Sequence, residues 1–65
     1  MNIGVIGVGS MGQNHARVLE GMNCLSAVLD SNGKLAEEVG ERYNVPYFTD
    51  IDDFLRCGLD GVTIA

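Results

Sequence analysis

Short continuous apolar runs alternate along this chain with longer stretches in which apolar residues recur every three or four positions. The first run, residues 2–7, is β-branched at Ile3, Val5 and Ile6. It predicts a strand buried on both faces, as parallel strands are. Val8-Gly9-Ser10 follows as a tight turn, and Ser10 is a good N-cap for a helix over 11–20. On that helix Gly12, Ala16 and Leu19 share one face, Val18 and Met22 lie near its flank, and Gly21 provides the stop. A second apolar run, 24–29, predicts a second strand that opens on Cys24, read as a small core residue, and closes at Asp30. Ser31-Asn32-Gly33 is turn chemistry. Leu35, Ala36, Val39 and Tyr43 then mark the buried stripe of a helix over 34–43.

The remaining residues repeat the alternation in shorter form. Residues 46–48 predict a third strand, with Pro46 at its start, where a missing N–H is tolerated. Thr49 or Asp50 caps a short third helix whose apolar residues are Ile51, Phe54 and Leu55, and Gly58 ends it. Residues 61–65 predict a fourth strand. The order βαβαβαβ specifies an α/β fold with a four-stranded parallel sheet and right-handed crossovers. The strand order 3-2-1-4 is that of the first half of a Rossmann fold. The first two crossovers step the same way, so their helices share one sheet face. The third steps back past strand 1, so its helix lies on the other. That helix is short, so apolar side chains of strands 1 and 4 are expected in water. The edge of strand 4 carries no charge or proline to guard it. Self-association, most simply as a symmetric dimer, is expected through that edge and face.

Composition narrows the class. At 65 residues and 46 % hydrophobic, the chain has material for one core and one domain, residues 1–65, and is too apolar to be disordered. No apolar run approaches the roughly 18 residues of a membrane span, and Met1 leads into the first strand without a basic leader, so neither membrane nor export is expected. Nine acids against four bases leave no basic stripe, which argues against a nucleic-acid surface. The acids cluster at Glu37-Glu38-Glu41 and Asp50-Asp52-Asp53, where solvated helix faces and caps account for them. Cys24 and Cys57 lie far apart with no Cys/His cluster, so no metal site is expected, and the thiols read as those of a reduced, cytoplasmic protein.

The candidate chemistry sits in Gly7-Val8-Gly9-Ser10-Met11-Gly12, a G-x-G-x-x-G sequence. The motif alone is weak, because nine of the 65 residues are glycine. Its context makes it strong: it follows a predicted strand, opens a predicted helix, and Asp30 closes the next strand 18 residues after Gly12. Gly7 permits the turn, Gly9 lets a pyrophosphate approach the backbone, and Gly12 lets the helix pack on the sheet. Free N–H groups near Ser10 and Met11, with the helix dipole, favour phosphate. Asp30 would accept hydrogen bonds from adenosine ribose hydroxyls and repel a 2′-phosphate, which favours NAD over NADP. Met11 reads as contact surface for the cofactor. The only histidine, His15, reads as a packing or hydrogen-bonding residue near the loop rather than a catalytic base.

The opening Ile3-Gly4-Val5-Ile6-Gly7-Val8-Gly9-Ser10-Met11-Gly12, with His15-Ala16 and Leu19, resembles the Gfo/Idh/MocA family of oxidoreductases. So do Asp30, the run Tyr43-Asn44-Val45-Pro46-Tyr47-Phe48-Thr49-Asp50, Phe54-Leu55 and Asp60-Gly61-Val62-Thr63-Ile64-Ala65. The resemblance covers the whole chain. It implies a pyridine-nucleotide dehydrogenase that moves hydride between nicotinamide and a sugar, inositol or related polyol. It also implies a second, mostly β-sheet substrate domain, a Glu-Lys-Pro motif and a catalytic histidine, none of which is matched in these residues. Only the glycine loop and Asp30 carry over, and no catalytic residue does. The β-hydroxyacid dehydrogenases share a Gly-x-Gly-x-Met-Gly opening but tend to carry Asn or Arg in place of Asp30. A reading from another class is a non-catalytic module, a truncated or engineered nucleotide-binding unit.

Overall fold

A computed structural model describes all 65 residues. The elements are β1 (Ile3–Ile6), α1 (Ser10–Gly21), β2 (Leu25–Leu29), α2 (Gly33–Tyr43), β3 (Tyr47–Phe48), α3 (Ile51–Leu55) and β4 (Gly61–Ile64). The four strands form one sheet in the order β3-β2-β1-β4, with every pair parallel. No helix is long and apolar enough to cross a membrane.

The sheet separates two cores, and the direction of each crossover decides which helix covers which. Val5 and Val28 face α1 and α2, where they cluster with Val8, Ala16, Leu25 and Val39, and Leu19, Leu35, Tyr43 and Val45 pack around them. Ala27 and Leu29 face the other way and meet Phe54 of α3, with Ile6, Phe48 and Leu59 at the margin. Leu25 breaks the alternation. It shares a face with Val28 because Ser26 is an extra residue: Ile3 pairs with Leu25, but Gly4 already pairs with Ala27. Such a bulge inverts the facing of residues on one side of it.

Side chains also close the helix ends. The Asn32 carboxamide accepts the Leu35 N–H and starts α2, and Asn44, left-handed at φ 56°, ends it. Asp50 starts α3, its carboxylate accepting the Asp52 and Asp53 N–H groups at 2.8 and 3.2 Å. That acidic cluster is therefore cap and first turn, as its composition implied.

Two expectations need correction. Cys24 is not a core residue: it precedes β2, half-buried, with its Sγ against the Met22 carbonyl. Strand β1 is not left in water on the α3 side, because Phe54 and Leu59 close over Gly4, where any Cβ would collide with them. Exposure on that side is confined to β4, the other strand expected to show it, where Val62 is 41 % and Ile64 75 % exposed. Within α3 only Phe54 is buried; Ile51 and Leu55 are exposed, since five residues make little more than one turn and present one side chain squarely to the sheet.

Phe54 is thus the one side chain of α3 in the second core, fully buried and edge-on to Phe48 at 6.1 Å between ring centroids. Phe54→Ala is expected to remove about 3–5 kcal/mol, most of the stability available to so small a domain. Urea denaturation followed by circular dichroism should show no cooperative transition for the variant at 25 °C. A loss below about 1 kcal/mol would show that the α3 face contributes little to folding.

Candidate functional site

At the C-terminal end of β1 the chain must turn sharply into α1. Gly7 makes the turn in the left-handed region at φ +86°, which a β-carbon would strain, and its N–H is held by the Leu29 carbonyl at 2.8 Å. Val8 drops its side chain into the first core, fully buried. Its backbone is gripped on both sides by side chains. The Val8 N–H donates to Asp30 Oδ2 at 2.9 Å, and the Val8 carbonyl accepts from Gln13 Nε2 at 3.0 Å.

The helix begins one residue earlier than its sequence implies. Gly9, extended at φ −70° and ψ −160°, is the N-cap, and its carbonyl accepts the Gln13 N–H at 2.8 Å. Ser10 is therefore the first helical residue and does not cap; no side chain does. The reason is backbone geometry: the turn after Gly7 brings the Gly9 carbonyl into line with the helix axis, leaving the serine already inside the first turn. As a result the N–H groups of Gly9, Ser10 and Met11 make no hydrogen bond within the chain. An N-terminus left open in this way presents unpartnered donors and the positive end of the helix dipole. Gly12 is buried against the loop, where a Cβ would run into the Gly7 carbonyl oxygen. By contrast, a Cβ on Gly9 would meet nothing within 4 Å.

Asp30 follows β2 and is anchored there by its N–H to the Phe48 carbonyl at 3.1 Å. Its carboxylate bridges two segments: Oδ2 holds Val8 of the glycine loop, and Oδ1 accepts the Asn32 N–H at 2.9 Å. Each oxygen keeps a further lone pair for an outside donor. Beside it opens a cleft of about 390 Å³ lined by Ile6, Gly7, Leu29, Asp30, Ser31, Thr49 and Ile51. It lies over the carboxyl ends of the strands, where open parallel sheets bind ligands, and its size is that of a small-molecule site.

Of the residues singled out from sequence, Gly7 and Asp30 line this cleft. Gly9, Ser10 and Met11 are exposed at the helix start but do not line it, and Gly12 serves packing. Ser31, Thr49 and Ile51 were missed. The strand order could have flagged the last two, because in a 3-2-1-4 sheet the residues after β3 sit beside those after β2. Gln13 was missed as well, and nothing in the motif points to it. His15 lies on the other flank of α1, its Nδ1 3.3 Å from Thr63 Oγ1 of β4, in keeping with a packing role. Tyr47, on the β3 edge, has its phenol pushed above the ordinary value, chiefly by the negative charge of Glu37 and further by desolvation, a hydrogen bond to Glu37 and the charge of Glu41.

The chain matches, over residues 1–65, the Gfo/Idh/MocA family model, described as an oxidoreductase family with an NAD-binding Rossmann fold. No curated protein matches it significantly. Among solved structures it is similar to a UDP-N-acetylglucosamine 3-dehydrogenase from Acidithiobacillus ferrooxidans, at 35 % identity and a TM-score of 0.90, covering all of this chain and 20 % of that one. A Thermotoga maritima chain assigned as a dehydrogenase gives 28 % identity and a TM-score of 0.90, covering all of this chain and 21 % of its own length. A Sinorhizobium meliloti chain assigned as a myo-inositol dehydrogenase gives 28 % and 0.88, with all of this chain and 20 % of that one covered. The present chain therefore spans about a fifth of the solved chains it matches.

Gly9 and Gly12 respond oppositely to an added side chain. Gly12→Ala is expected to destabilise the fold by about 3 kcal/mol, because backbone must shift to admit the methyl group. Gly9→Ala should stay within about 1 kcal/mol of the parent, since its backbone angles suit alanine and the space is open. Thermal denaturation of both variants checks this, and equal losses would contradict it.

Proposed function

The chain belongs to the Gfo/Idh/MocA oxidoreductases, a family with an NAD-binding Rossmann fold, and from that premise we propose that the loop Gly7-Val8-Gly9-Ser10-Met11-Gly12 and Asp30 hold the pyrophosphate and adenosine of NAD. The observation that carries this reading is the open start of α1. Three consecutive N–H groups there have no partner in the chain, the space over Gly9 is free of side chains, and the Asp30 carboxylate is tied to the same loop. Donors of this kind suit phosphate oxygens. The spare lone pairs of Asp30 suit ribose hydroxyls, and its charge disfavours a 2′-phosphate, so NAD is preferred over NADP. The cleft lined by Thr49 and Ile51 then receives the adenosine end.

NAD, when bound, supplies the hydride acceptor or donor. The structural relatives named for sugar and inositol substrates support a carbinol of a sugar, inositol or related polyol as the substrate of the whole enzyme. Within these 65 residues we assign no catalytic residue, and the chain alone is expected to show little turnover. The free thiols of Cys24 and Cys57 accord with a reducing, cytoplasmic setting. Val62 and Ile64, exposed on one face of β4, support association of that face with a second copy of this chain.

Titration calorimetry should show NAD binding more tightly than NADP. Asp30→Ala should weaken NAD roughly tenfold, the loss expected for hydrogen bonds to a charged acceptor, and narrow the preference. Tighter NADP binding by the unmodified chain would overturn the reading. Sedimentation at micromolar concentration should show a dimer, and a strict monomer would remove the case for association through the Val62 and Ile64 face.

A further inference from the structure

Gln13 stands just past the third glycine and reaches back over the loop. Its Nε2 donates to the Val8 carbonyl at 3.0 Å in a partly buried position. Its Oε1 accepts from Arg42 Nη1 at 3.2 Å, across from the last turn of α2. Arginine can only donate, so it dictates which end of the carboxamide faces it: the oxygen turns to Arg42 and the nitrogen to Val8. Two residues 29 positions apart are thus joined to a single loop carbonyl.

The peptide joining Val8 to Gly9 is trans, as all peptide bonds of the chain are. In a planar trans peptide the carbonyl and the following N–H point in opposite directions. A hydrogen bond that pins the Val8 carbonyl toward Gln13 therefore aims the Gly9 N–H away from it. That N–H has no partner in the chain, and a Cβ on Gly9 would meet nothing within 4 Å. The preceding peptide, Gly7–Val8, is steadied in turn by its N–H, that of Val8, on Asp30.

We propose that Gln13, oriented by Arg42, is a positioning residue that aims the Gly9 N–H at the pyrophosphate of the dinucleotide. This rests on the reading of the loop as a dinucleotide site. Gln13 touches no ligand in this role; it fixes the direction of a donor in advance, so that binding need not order it.

The test uses Gln13→Met, which keeps the length and neutrality of the side chain but cannot donate. In the free chain the Gly9 amide should have a ¹⁵N order parameter of about 0.85, and Q13M should lower it toward roughly 0.6. NAD titrated into the same samples should bind Q13M roughly five- to tenfold more weakly, the share of one oriented hydrogen bond. Arg42→Lys, which still donates, should behave as the parent, and Arg42→Met should reproduce part of both effects. A rigid Gly9 amide or unchanged NAD affinity in Q13M overturns the role of Gln13 alone. Failure of the unmodified chain to bind NAD overturns the reading of the site as well. If Q13M does not fold, Arg42→Met, at an exposed side chain, decides by the same two readouts: loss of Gly9 order supports the role and its retention refutes it.

Discussion

The backbone of α1 rests directly on the backbone of the loop before it. Gly12 lies so close to the Gly7 carbonyl that no side chain fits between them, and much of the molecule follows from that approach. It brings the first turn of α1 down over the end of β1, so that Val8 points into the core and Gly9 takes the N-cap. It leaves the first N–H groups of the helix facing out, away from any side chain that would cap them. A serine or aspartate capping the helix in the usual way would satisfy those donors internally and close the space. With glycine as the N-cap residue the missing side-chain cap costs the helix only about a few tenths of a kcal/mol, and packing at Ala16 and Leu19 keeps the helix in place without it.

The two sheet faces are unequal in depth. The α1–α2 face gathers six buried side chains, whereas the α3 face gathers three, with Phe54 the largest. Chain direction alone sets this, since two successive crossovers fall on one face and a single short one on the other. The inequality also places the cleft. Because α3 is short, Thr49 and Ile51 at its start remain beside the ends of β1 and β2 instead of being buried, and they wall the space next to Asp30.

Much of this was legible in the sequence. Element order, strand order and the helix assigned to each face follow from apolar periodicity and crossover handedness, and all are as read. The glycine at each end of the loop could be assigned its geometry from the motif. What escaped is what depends on backbone detail. Ser26, the one polar residue within the run 24–29, gives no sign that it is a bulge, yet it sends Leu25 to the opposite face. Ser10 has the composition of an N-cap, but the turn set by Gly7 had already given that position to Gly9. The Gln13–Arg42 contact joins residues on different helices, and no local pattern encodes it.

Asp30 faces two backbone N–H groups at once, one from Val8 and one from Asn32. Only a side chain with an acceptor on both branches satisfies them. Asparagine would turn an N–H toward an N–H on one side, and arginine or serine would leave at least one donor without its partner. The position is therefore doubly committed, once to the architecture of the loop and once to whatever ligand it meets. An evolutionary path that exchanges this acid to admit a different nucleotide must cross a state in which the loop has lost one of its supports. Such a path would be open only after a second change elsewhere had taken over the support of Val8 or of Asn32, so the order in which substitutions arise is constrained by two hydrogen bonds.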